Sequence, residues 1–150
     1  MRNNPIVLMI LVVFAVSCKK EKTKIELLTE KAWLTTAIAV NPGIPAGNAT
    51  ITDLFSQLQP CVNDNMLTFS ADKTYLEEEG ATKCNASDAQ TVETGKWSLN
   101  EGETVLTKVG TDKITRIFDL IELNGTTLKM NETKSLHNEK YTLSYTLIAK

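Results

Sequence analysis

Alternation at the C-terminal end of the chain constrains its fold more than any other feature. Tyr141, Leu143, Tyr145 and Leu147 occupy one parity, and Thr142, Ser144 and Thr146 the other. Successive side chains of a strand point to opposite faces, so this segment is a strand with one apolar side and one wet side. Leu128 and Met130 alternate with Lys129 and Asn131 in the same way. Short runs of strand character, divided by turn signals, fill most of the chain: Trp33–Val40, Met66–Ser70, Thr74–Glu79, Thr94–Leu99, Thr104–Val109, Lys113–Leu123, Thr126–Asn131 and Tyr141–Ile148. Eight strands joined mostly by short connections pair antiparallel with their sequence neighbours. Closure into a small barrel then removes the exposed sheet edges. Asn124-Gly125 predicts a type I′ hairpin, with positive φ at both central residues. Lys113–Leu123, expected to be the longest strand, carries the adjacent apolar pairs Ile117-Phe118 and Leu120-Ile121, for which a bulge or an outer-face contact would account.

Three segments depart from this pattern. Ile25, Leu27 and Leu28 in a charged stretch predict one or two helical turns before Trp33. Asn41-Pro42-Gly43-Ile44-Pro45-Ala46-Gly47 predicts loop, because Pro and Gly break both helix and central strand. Ile51, Leu54, Phe55 and Leu58 fall at i, i+3, i+4 and i+7, which predicts a two-turn amphipathic helix with Thr50 or Thr52 as N-cap and Pro60 as terminator. Such a helix would pack across one end of the sheet, or alternatively lie as a lid over a pocket mouth.

The N-terminal segment speaks to location. An unbroken apolar run from Ile6 to Val16 follows Arg2 and ends at Ser17-Cys18, with Lys19-Lys20-Glu21-Lys22 beyond. The run has the length of a signal-peptide core and is too short to span a bilayer. A small residue directly before Cys resembles the lipobox of bacterial lipoproteins. That resemblance implies cleavage before Cys18 and lipidation of its sulfur. The domains expected are therefore a signal peptide over 1–17, a lipidated tether over 18–25 and one β-barrel domain over 26–150. Lys19 is not the inner-membrane retention Asp, so the outer membrane of the cell envelope is expected, facing the periplasm or the surface. The other expectation for this segment is an ordinary secretory signal or an uncleaved anchor.

Without residues 1–17 the chain has 15 basic and 18 acidic side chains scattered in sign. No basic stripe exists, so nucleic acid is not an expected partner. With Cys18 assigned to lipid, Cys61 and Cys84 remain as an even pair in an oxidising compartment, and a disulfide is expected. The competing two-Cys metal site would need ligands that the lone histidine, His137, is too remote in sequence to supply. Catalysis finds no motif: Gly-x-Ser-x-Gly, His-Glu-x-x-His and a phosphate-cradling loop are all missing from the sequence. No catalytic residue, metal or cofactor is expected, and no enzyme. Glu77-Glu78-Glu79 is expected to be a solvated edge, and Asn63-Asp64-Asn65 a turn.

Several stretches carry a family resemblance. Glu26–Trp33, Leu67–Tyr75, Glu79–Cys84, Thr94–Leu99 and Leu123–Met130 resemble the lipocalin-like lipoproteins of the Bacteroidota type. The resemblance implies an all-β fold: an eight-stranded antiparallel up-and-down lipocalin-like barrel with short helices near the N-terminus. Asp72-Lys73 replaces the usual Asp-Gly, which predicts an altered turn conformation. The function expected is a lipid-anchored module binding a small apolar molecule. Trp33, Phe69, Tyr75, Trp97, Phe118, Tyr141 and Tyr145 are the candidate lining residues. The alternative is an accessory lipoprotein with a filled barrel that acts through protein contacts. Partners are thus the membrane, through Cys18, and a small hydrophobic ligand.

Overall fold

The computed structural model of the protein describes residues 20–150, so Cys18 and the expected signal peptide lie outside the described residues. A short helix α1 (Lys24–Thr29) precedes nine strands: β1 (Ala32–Ala46), β2 (Ala49–Asp53), β3 (Met66–Phe69), β4 (Thr74–Glu78), β5 (Thr91–Leu99), β6 (Val105–Gly110), β7 (Thr115–Leu123), β8 (Thr127–Leu136) and β9 (Glu139–Ala149). From β3 to β9 each strand pairs antiparallel with the next, and β1 pairs with both β3 and β9. This closes an eight-stranded antiparallel up-and-down barrel, as the alternation implies. β2 stands outside the count, as the return arm of a ribbon formed with the upper half of β1.

The barrel has one filled end. There α1 is started by a capping box between Thr23 and Glu26, and it buries Leu28 completely. Leu28 meets Trp33, Phe69, Trp97, Leu106 and Leu128 in one core cluster. The Trp33 indole N–H donates to the Leu28 carbonyl at 3.0 Å, and that of Trp97 to Ser70 at 3.1 Å, so neither ring buries an unpaired donor. Phe69 and Trp97 pack edge to face with centroids 5.6 Å apart. The opposite end carries the β1–β2 ribbon, the segment 54–65, the 79–90 loop and the turns before β7 and β9.

The structure differs from the sequence pattern first in three segments. Residues 41–46 are not loop: β1 runs on through Ala46, with a cis Asn41-Pro42 bond. Beyond Asn41, which pairs with Thr142, the ribbon has only β2 beside it, so one edge is free and a residue without an N–H is tolerated. The helix expected over 51–58 is instead β2 followed by 3₁₀ turns at Phe55–Gln57 and Pro60–Val62. Three β-branched residues, Thr50, Ile51 and Thr52, pair better with the ribbon than they pack in a helix. Asn124-Gly125 is not a type I′ turn, since neither residue has positive φ; the Asn124 side chain accepts from the N–H groups of Thr126 and Thr127. The left-handed pair occurs at His137-Asn138 (φ 49° and 66°), joining Leu136 to its partner Glu139.

Lys73 adopts φ 69°, the conformation Gly would take, so the Asp72-Lys73 turn keeps the Asp-Gly geometry rather than altering it. Lys113 and Glu103 do the same in their turns. The longest strand is β1, not the segment 113–123. Within β7 the register skips between Leu120 and Glu122, a bulge at Ile121 that accounts for the Leu120-Ile121 pair, whereas Ile117 beside buried Phe118 simply faces outward, 56% exposed.

Candidate functional site

Above the filled end lies a cavity of about 640 Å³. Its walls differ in chemistry, and strand parity is the reason. On β8, β9, β1 and β3 the inward positions at this level are Met130, Tyr145, Leu147, Thr35, Ile38 and Leu67. On β4 to β7 they are Glu77, Glu93, Lys108 and Arg116, with Phe118 one step deeper on β7. Phe55, Leu58 and Val62 of the 54–65 segment line the mouth together with Val92. The segment therefore contributes to the pocket opening without being a helix.

The mouth is held by two links. Cys61 and Cys84 form the expected disulfide, with Cα atoms 5.1 Å apart. Beside it the Asp64 carboxylate accepts from the Thr82 backbone N–H at 2.9 Å and the Thr82 hydroxyl at 3.0 Å. Asp64 thus latches the 54–65 segment to the 79–90 loop. Gly80 passes so close that a Cβ there would fall 2.3 Å from the Asp64 backbone oxygen.

The charged wall is sorted by sign. Glu77 sits directly opposite Glu93, and Lys108 directly opposite Arg116. Arg116 Nη1 donates to Glu93 Oε1 at 2.5 Å, and this bond raises the Arg116 pKa. Lys108, only 5% exposed, has Glu77 at 3.8 Å and Glu93 at 3.6 Å, both beyond hydrogen-bond distance. Its Nζ lies 4.2 Å from the centre of the Tyr75 ring. Burial lowers the Lys108 pKa, and the two carboxylates oppose that shift. Burial, with Glu93 beside it, pushes the Tyr75 phenol up; the Tyr145 phenol rises for the same reason, with Glu132 accepting its proton at 3.1 Å. Gly110 makes room for this arrangement: a Cβ there would meet Glu93 Oε1 at 2.8 Å.

Of the aromatic residues expected to line an interior, Phe118 and Tyr145 face the cavity and pack edge to face at 5.8 Å. Tyr75 lies behind Lys108. Trp33, Phe69 and Trp97 belong to the filled end. Tyr141 is buried higher on β9, its hydroxyl donating to Glu139 at 2.7 Å. The structure therefore does not gather the seven around one space. Glu77 is not on a solvated edge; it faces inward two residues from Tyr75. The inward charges Glu77, Glu93, Lys108 and Arg116 carried a sequence signal, since each shares parity with a core residue of its own strand. Among the described residues no group of three or more His, Cys, Asp or Glu side chains is placed to hold a metal ion.

A closed eight-stranded up-and-down barrel has an interior that side chains just fill or that leaves room for one small molecule, and here one end is filled and the other is not. Residues 31–130 match the lipocalin-like domain family, and the chain belongs to that family. Among solved structures it is similar to the complex of bovine odorant binding protein with a selenium-containing odorant, at 15% identity and a TM-score of 0.44, over 88% of this chain and 76% of that one. No curated protein matches the chain.

Proposed function

We propose that the protein is a lipid-anchored lipoprotein of the bacterial outer membrane whose barrel holds a small, mostly apolar molecule. One observation carries the reading: the barrel is packed at one end and hollow at the other. A space of about 640 Å³ lies within the range of small-molecule sites. Membership of the lipocalin-like family supports carriage over catalysis. The apolar run ending at Cys18 supports the anchor.

Anchor and pocket are arranged at opposite poles in this reading. The chain leaves Thr23 at the filled end, where the Lys24 ammonium donates to the Glu103 carbonyl at 2.6 Å. Residues 18–23 reach at most about 20 Å when extended, so the filled end is the end tethered near the bilayer. Protein extracted from its native envelope and weighed by native mass spectrometry tests both parts. The expected mass is that of the chain from Cys18 plus acyl groups, with a small molecule released on unfolding. An unmodified Cys18 removes the anchor; an empty barrel with no thermal shift from added apolar ligands removes carriage.

The filled-barrel alternative has one observation on its side. Ile114, in the turn before β7, and Ile117 and Ile121 on it are each more than half exposed, a place where another envelope protein could dock. The hollow interior favours carriage over it.

A further inference from the structure

The charged wall is not symmetric in what it leaves unsatisfied. Glu93 and Arg116 complete each other at 2.5 Å. Lys108 and Glu77 do not: their closest atoms are 3.8 Å apart, and Lys108 is held almost wholly out of solvent. A buried ammonium carries three donors and no acceptor capacity; a carboxylate carries only acceptors. An ammonium held this far out of solvent is costly to leave without a hydrogen bond, and both Glu93 at 3.6 Å and the one-third exposed Glu77 at 3.8 Å stand too far away to supply one. A single oxygen placed about 2.8 Å from both atoms would subtend roughly 85° between them, and opening the pair by under about 1 Å brings this to the near-tetrahedral angle a hydroxyl prefers.

Resting on the carriage reading, we propose that the cavity selects amphipathic ligands with an uncharged head that both donates and accepts, a hydroxyl or a primary amide. The head accepts from Lys108 Nζ and donates to the Glu77 carboxylate. The apolar body lies against Leu67, Leu147, Tyr145 and Ile38 on the facing wall. Charge excludes the other heads. The lining carries three acids, Glu77, Glu93 and Asp112, against Lys108 and Arg116. A carboxylate head could accept from Lys108 only by bringing a further negative charge beside Glu77 and Glu93. An ammonium head would meet Lys108, and behind it Arg116. An ether or ester only accepts, so it makes the bond from Lys108 alone, where a hydroxyl or amide makes two.

Four molecules with one common chain test this: dodecanol, dodecanamide, dodecanoate and dodecylammonium, each displacing a fluorescent apolar probe from the mature protein at neutral pH. Dodecanol and dodecanamide are expected to bind at least about tenfold tighter than the two charged members. Glu77→Gln removes the repelling carboxylate and keeps Lys108, so it raises dodecanoate affinity and erases or inverts its disadvantage. Dodecanoate binding as tightly as dodecanol in the wild type overturns the head-group assignment, as does a Glu77→Gln variant with unchanged order. If all four bind alike, carriage stands and the assignment falls. If none displaces the probe or shifts the melting temperature, both fall.

Discussion

Removing the Cys61–Cys84 link is the perturbation whose size the structure predicts most directly. The bond closes a loop with a sequence separation of 23 residues. In the chain-entropy account a loop of this length is worth about 3 kcal/mol at 25 °C, almost all of it through the unfolded state. The native state has reason to survive the loss, because Asp64 still accepts both hydrogen bonds from Thr82 across the same two segments. The double variant Cys61→Ser/Cys84→Ser should keep its far-ultraviolet circular dichroism spectrum. For a domain of this size each kcal/mol corresponds to about 3–5 °C, so the melting temperature should fall by about 10–15 °C. The denaturant m-value should rise, since an unlinked chain exposes more surface on unfolding. A fall of less than about 3 °C, or two titratable thiols in the oxidised wild type, would refute the reasoning.

Other perturbations have equally definite signs. Lys113 holds φ 66° at an exposed turn position, so Lys113→Gly should raise stability by about 1 kcal/mol in chemical denaturation, left-handed backbone being costly for a residue with a Cβ. Gly95→Ala would put a Cβ 2.1 Å from the Val109 carbonyl and 2.8 Å from the Tyr75 ring, and should cost about 2 kcal/mol or more. Gly125→Ala meets nothing within 4 Å and should stay within about 0.5 kcal/mol of wild type. For pH, the Tyr75 and Tyr145 phenols both titrate above their ordinary value near 10 in the folded state. The folded chain keeps protons that the unfolded chain releases there, so their contribution is complete below about pH 10 and is lost as pH rises beyond it. Tyr145→Phe should make that alkaline loss shallower in melting curves. Lys108 has the opposite sign: its folded pKa lies below 10.5, so stability gains with pH just under that value, and Lys108→Met should abolish the gain.

The barrel was legible because period two is hard to imitate. Tyr141–Leu147 and Leu128–Met130 announce an inner face that the structure keeps. Over 51–58 the helical spacing of Ile51, Leu54, Phe55 and Leu58 is an accident of composition, and the segment forms β2 and a 3₁₀ turn. Backbone pairing with the extended β1 decides the conformation there, and local spacing carries no trace of that partner. The hairpin signal failed for a related reason: an Asn124 side chain that caps two N–H groups competes with the turn that positive φ would give. The site itself was half visible. Phe118 and Tyr145 stood out as aromatic, whereas Lys108, two residues from buried Leu106, reads as surface to any reasoning that sorts charge outward before consulting parity.

That same parity explains why the barrel is hollow where it is. Moving one inward position along β4, β6 and β7, about 6.6 Å along the strand, replaces Tyr75, Leu106 and Phe118 with Glu77, Lys108 and Arg116. Apolar side chains at that level would fill the interior as they do below; ionised ones resist being dried, because drying four charges costs more than their mutual attraction returns. Gly95 and Gly110 leave room that the Tyr75 ring and the Glu93 carboxylate take up. The cavity is therefore maintained against collapse by groups that contribute little to stability. Replacing Glu77, Glu93, Lys108 and Arg116 together with Met should leave stability unchanged or raise it by about 1–4 kcal/mol, as buried ion networks exchanged for apolar side chains do. The same variant should bind dodecanol and dodecanoate without preference. A quadruple variant that is destabilised by more than about 2 kcal/mol in chemical denaturation would show that the charged wall holds the fold together, and that the hollow has another cause.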